Sequence, residues 1–80
     1  MKYLKKSFHI EVMYMEVNKI ETFYKGLAVT FNKNESKLKM IDPDCWLDLK
    51  SSGYLTEEIS KEQFDNAFEK ALKLLKRLKK

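Results

Sequence analysis

The chain reads as a two-layer α+β domain: a three- to four-stranded antiparallel sheet with one long C-terminal helix packed across one face. Three observations predict it. From Ser60 to Lys79 apolar residues recur with a helical period. Upstream of Ser60, short stretches alternate apolar and polar residues and are separated by turn-forming Asn, Asp and Ser. The two kinds of element also match in size, because a helix of about twenty residues and a strand of about nine both span roughly 30 Å.

The helix is the most strongly marked element. Ser60-Lys61-Glu62-Gln63 is a capping box, in which the Ser60 hydroxyl accepts from the Gln63 N–H and the Gln63 side chain reaches back to the Ser60 N–H. Ile59 and Phe64 are spaced to form a hydrophobic staple. Phe64, Ala67, Phe68, Ala71, Leu72, Leu74, Leu75 and Leu78 fall on one stripe, with Glu62, Asp65, Asn66, Glu69, Lys70, Lys73, Lys76 and Arg77 opposite. The alanines at 67 and 71 allow the helix backbone to lie close to a sheet.

Residues 7 to 17 are predicted as a strand, with Phe8, Ile10, Val12 and Tyr14 on its core face and His9, Glu11, Met13 and Met15 on the other. Val17-Asn18-Lys19-Ile20 is predicted as a tight turn. A second strand follows from about Ile20 to Phe31, with Phe23, Leu27, Val29 and Phe31 in parity. Gly26 interrupts it and is compatible with a bend or a turn; one bent strand keeps the parity and is preferred. Asn32 to Glu35 is the next turn, and Ser36 to Ile41 the next strand, with Leu38 and Met40 inward and Lys37 and Lys39 outward. Asp42-Pro43-Asp44 ends that strand. Residues 43–49 then admit two readings, a helical turn capped by Asp42 or a fourth strand carrying Trp46 and Asp48 on one face. Ser51-Ser52-Gly53 is a turn by composition, and Tyr54-Leu55 leads toward the helix cap.

Composition limits what such a domain does. Eighty residues, 44% hydrophobic and 35% charged, make residues 1–80 one small folded domain. Two glycines and one proline leave little room for linkers or a Gly-rich phosphate loop. The apolar run after the basic Met1 to Lys6 segment is too short for a signal-peptide core or a membrane span, and Cys45 has no second cysteine to pair with. The cytoplasm is the expected location. The formal charge of +4 comes almost entirely from lysine, Arg77 being the one arginine; lysine suits solubility better than bidentate reading of phosphate or guanine.

No catalytic constellation, cofactor motif or metal-ligand spacing emerges, so no enzyme and no cofactor are expected. His9 is the one histidine and, by parity, lies off the core face. Cys45 beside Trp46 and Leu47 reads as a small packing residue rather than a nucleophile paired with His9. Asp42, Asp44 and Asp48 depart from the EF-hand pattern in their proline and in lacking its glycine and closing glutamate. Glu11 and Glu16 have opposite parity, which rules out an acid and base pair on one sheet face.

Binding readings remain. A protein partner or self-association is favoured, because Met13, Met15 and Trp46 are of types enriched at interfaces and one helix leaves a sheet face and an edge open. The alternative partner is nucleic acid, bound on the ridge of Lys70, Lys73, Lys76 and Arg77, with tyrosines and Trp46 available for stacking. Membrane binding by the cationic helix is disfavoured, since its apolar stripe continues from Phe64 and Phe68, which the cap commits to the core. A coiled coil is disfavoured too, because the heptad seam lasts only about two repeats.

Overall fold

Five strands and one helix form: β1 (Lys2–Ser7), β2 (Glu11–Ile20), β3 (Phe23–Asn32), β4 (Leu38–Asp48), β5 (Thr56–Ile59) and α1 (Lys61–Leu78). They are seen in a computed structural model that describes residues 1–48 and 56–78, with backbone alone at Leu78. The expected turn at Ser51-Ser52-Gly53, the Tyr54-Leu55 lead-in, the Leu49 end of the fourth strand and the Leu78 end of the helix stripe fall outside the described residues. Every neighbouring strand pair is antiparallel, in the order β4-β3-β2-β1-β5, and α1 lies across one face. The α+β architecture is as expected, with five strands in place of three or four.

The helix begins as its sequence dictates. The Ser60 N–H donates to Gln63 Oε1 at 3.0 Å and the Gln63 N–H donates to Ser60 Oγ at 3.1 Å, so both halves of the capping box are made. The Phe64 N–H then donates to the Ser60 carbonyl at 3.2 Å, the first helical bond. Phe64, Ala67 and Ala71 are buried with Val12, Tyr14, Val29 and Phe31 of the sheet, and Ile59, Phe68 and Leu74 pack against them. Full burial of a phenylalanine such as Phe64 stabilises by about 2–3 kcal/mol. Leu72, about 80° round the helix from Phe64 at the margin of the stripe, is exposed.

The strands depart from expectation in ways that trace to turns and bulges. The first expected strand is two: β1 and β2 join through a hairpin whose tip holds His9 and Ile10, closed by the Phe8 N–H donating to the Glu11 carbonyl at 2.8 Å. Phe8 and Ile10, expected on the core face, are therefore exposed, while Val12 and Tyr14 keep their place in the core. The β2–β3 turn is at Glu21-Thr22, with Glu21 at a φ of 53°, rather than at Val17 to Ile20, which remain in β2.

Gly26 lies within one continuous strand, β3, as preferred. Its backbone passes so close to β2 that a Cβ at this position would fall 1.9 Å from the Glu16 carbonyl oxygen. The turn at Asn32 to Glu35 forms where expected: the Asn32 carboxamide oxygen accepts from the Ser36 and Lys37 N–H groups at 2.8 and 3.0 Å, and Glu35 takes a φ of 55°.

The last two expected strands are one. Asp42-Pro43-Asp44 does not end β4; the register to β3 slips there, and again at Lys39, so each place holds an extra residue. Residues 43–48 are thus extended, which settles the two readings in favour of strand. The bulge at Lys39 reverses parity: Leu38 and Ile41 both pack on the helix side, and Met40, expected inward, is exposed.

The face away from the helix is also filled. Leu4, Met13, Met15, Val17, Ala28 and Leu47 form a second cluster, with Tyr24 and Cys45 against it. The cluster draws side chains from β1 and β4, separated by two strands, through the side chains of β2 and β3 between them.

Candidate interaction surfaces

Of the three residues expected to meet a partner, Met13 and Met15 lie inside this second cluster, 7% and 1% exposed, and offer no surface in the single chain. Strand alternation puts them on the face away from the helix, where they are found; Leu4, Val17, Ala28 and Leu47 cover them there. Trp46 is 53% exposed and has company that the sequence did not reveal. By register it stands opposite Lys25, two rows from Phe23 and so on the same face, and Phe23 in turn is opposite Ile20 across the β2–β3 turn. The Phe23 and Trp46 rings meet edge to face with centroids 5.9 Å apart, and Ile20 and Phe23 are 43% and 40% exposed. Parity assigns Ile20, Phe23 and Trp46 to the helix-side face, at the end of the sheet that α1 leaves uncovered. The Lys25 ammonium lies 4.9 Å from the Trp46 ring centroid and pairs with Asp44 at 3.1 Å, giving the apolar patch a polar rim on one side. The signal available in the sequence was the pair Ile20 and Phe23 flanking the two turn residues.

The basic ridge is present as expected: Lys70, Lys73, Lys76 and Arg77 are exposed on α1. None of them has a carboxylate within ion-pair distance among the described residues. Arg77 and Leu74 line a depression with Ser36, Lys37 and Leu38, which places the helix C-terminus over the start of β4. Trp46 is at the other end of that strand, eight residues on, or about 25 Å at a strand rise of ~3.3 Å per residue. The ridge and the Phe23–Trp46 pair are therefore at opposite ends of the molecule, while the exposed Phe8, beyond the Ser7–Val12–Phe31–Leu38 row, is at the ridge's end of the sheet.

A second concave site lies between α1 and the sheet. Tyr14 forms its floor, and Lys5, Glu35, Gln63, Asn66 and Lys70 line it around a volume of about 280 Å³. The Tyr14 hydroxyl donates to Glu35 Oε1 at 2.9 Å. Burial, then this hydrogen bond and the charges of Glu35 and Glu57, push the Tyr14 hydroxyl up to about 12. Tyr14 meets Phe31 edge to face at 5.9 Å, and the two lysines flank the pair, Lys5 5.6 Å from the Tyr14 centroid and Lys70 5.9 Å from that of Phe31.

The residues weighed for chemistry are scattered. Cys45 stands at the row of Gly26 and Val17, whereas His9 is exposed beyond the Glu11 end of β2, six or more rows away, or about 20 Å. Burial, aided by the Asp42 carboxylate and opposed by Lys6, raises the Cys45 thiol, which disfavours the thiolate. Asp42 accepts the Asp44 N–H at 3.0 Å as a local brace within the bulge. Among the described residues no group of three or more His, Cys, Asp and Glu is placed to hold a metal ion, and no helix is long and apolar enough to cross a membrane.

Comparison with protein-family models, with curated proteins and with solved structures finds no match to this chain.

Proposed function

We propose that this chain is a small, non-enzymatic protein-interaction module of the cytoplasm, acting through the apolar end of its sheet. The observation that carries the reading is the exposure of Ile20, Phe23 and Trp46 together on the face that α1 covers elsewhere. Single exposed apolar residues are ordinary, but a contiguous aromatic and aliphatic patch with a charged rim resembles the centre of an interface. Three side chains of this size present a few hundred Å² at most, less than the ~800 Å² per partner of a standard stable interface. The partner is accordingly another protein engaging transiently, or one whose contact extends beyond the patch, and a second copy of the chain is the simplest instance. Changing Phe23 and Trp46 together to serine tests it. The wild-type chain should show partner binding or concentration-dependent association that the variant loses without unfolding, and binding unchanged in the variant would dismiss the patch.

Nucleic acid remains a second reading because the ridge of Lys70, Lys73, Lys76 and Arg77 lacks carboxylate partners among the described residues. It ranks lower because the Phe23 and Trp46 rings lie at the other end of β4, which leaves Phe8 as the one exposed phenylalanine, tyrosine or tryptophan among the described residues at the ridge's end of the sheet. Fluorescence anisotropy with single- and double-stranded oligonucleotides separates the two. Affinity that persists at physiological salt and falls when Lys73, Lys76 and Arg77 become glutamine would favour the ridge, whereas weak binding that vanishes with salt marks it as a solvated face.

A further inference from the structure

We infer that the cleft floored by Tyr14 between α1 and the sheet binds a small zwitterion of amino-acid size, its carboxylate against Lys5 and Lys70 and its ammonium against Glu35. The volume of about 280 Å³ holds about nine water-sized groups at roughly 30 Å³ each, the size of a free amino acid rather than of a nucleotide or a peptide. Charge decides the class. Two ammonium groups line the cleft, and neither Lys5 nor Lys70 is within ion-pair distance of a carboxylate among the described residues. Glu35 lines it too, and Glu57 is opposite Lys5 in register and acts on Tyr14. With both signs in balance, a simple anion would meet repulsion from the carboxylates and a simple cation from the lysines; a molecule carrying both charges meets neither.

The polar groups are placed to complete such a ligand's hydrogen bonds. Gln63 gives its carboxamide oxygen to the helix cap, which leaves its N–H₂ free to donate toward a carboxylate, as Asn66 is free to do one turn on. Glu35 is held at one oxygen by the Tyr14 hydroxyl, leaving the other oxygen for an ammonium. Its backbone sits at a φ of 55°, an uncommon conformation for glutamate, in a turn braced by five hydrogen bonds that start from or end on Asn32. The carboxylate is thereby fixed before any ligand arrives, and a fixed group loses less freedom on binding. The Tyr14 ring, backed by the fully buried Phe31, and Ala67 supply an apolar surface for the ligand's carbon skeleton.

The test is an amide chemical-shift titration of the full chain with free L-amino acids, one at a time, with the matching amine lacking its carboxylate, the matching acid lacking its ammonium, and inorganic phosphate as comparison probes. Saturable shifts at Tyr14, Glu35, Gln63, Asn66 and Lys70 are expected with at least one amino acid. Both the amine and the acid should bind about tenfold more weakly or worse, the usual loss when a charged hydrogen bond is removed. Glu35→Gln and Lys70→Gln, exposed or half-buried changes that leave the core intact, should each cost a similar factor. No saturable shift with any amino acid overturns the inference. So does phosphate binding as tightly as the amino acid, which would mean an adventitious ion only, or wild-type affinity in Glu35→Gln.

Discussion

Replacing Gly26 with alanine is a severe test of how closely the backbones of β2 and β3 approach. An ideal Cβ at Gly26 lies 1.9 Å from the Glu16 carbonyl oxygen and 2.9 Å from Val17 Cα, both backbone atoms of β2. Reaching an ordinary contact of 3.4 Å requires a movement of 3.4 minus 1.9, or 1.5 Å. No flexible side chain is there to give way, so β2 and β3 must separate locally, and a ladder bond near 2.9 Å stretched by over 1 Å no longer counts as a hydrogen bond. Loss of about two such bonds at about 1 kcal/mol each, with about 2 kcal/mol of overpacking, gives roughly 4 kcal/mol. The stiffer unfolded chain of the alanine variant offsets about 0.5–1 kcal/mol, leaving about 3 kcal/mol. An 80-residue domain has about 4–12 kcal/mol in total, and each kcal/mol corresponds to about 4–8 °C, so Gly26→Ala should lower Tm by roughly 12–24 °C or prevent folding. Circular dichroism on heating, with Lys25→Ala as a neighbouring control, measures it. A variant melting within about 3 °C of wild type would show that the strands do not approach as closely as described.

Other substitutions test the remaining supports of the fold. Ser60→Ala removes the acceptor for the Gln63 N–H and should cost about 1 kcal/mol in urea unfolding, with m unchanged. Met15→Ala should cost about 2–5 kcal/mol because Met15 is 1% exposed in the second cluster; a stable variant that had merely lost a partner would restore Met15 to the surface. Tyr14 is held protonated in the fold, its hydroxyl pushed up to about 12, so its contribution is complete below the unfolded value near 10 and is lost as pH rises from there through 12. Unfolding followed from pH 8 to 12 should show this decline in the wild type and a shallower one in Tyr14→Phe.

What the sequence made legible is what depends on neighbours along the chain. The capping box lies within four residues, and the helix stripe and the Asn32 turn are equally local, so all three were readable. β1 and β5 were not, because Lys-Tyr-Leu-Lys-Lys-Ser and Thr-Glu-Glu-Ile are too charged to look like strands, and they become strands by pairing with each other and with β2. An extra residue at Lys39 turns Met40 outward against period-two parity; parity did put Met13 and Met15 on the face away from the helix, but that Leu4, Ala28 and Leu47 of other strands cover them there was not local information. Trp46 was found because its type is informative anywhere; Ile20 and Phe23 join it only through the register of three strands. Glu35 was visible only as a turn residue, since its bond to Tyr14 spans 21 positions.

The most direct test of the proposed interaction surface is affinity capture with the full chain, compared with Phe23→Ser/Trp46→Ser and with Lys73→Gln/Lys76→Gln/Arg77→Gln, after each variant is shown to melt like the wild type. The proposal predicts specific proteins, including the chain's own copy if it self-associates, that bind the wild type and the helix variant and are lost from the sheet variant. Binding retained by the sheet variant, or lost only from the helix variant, would contradict it.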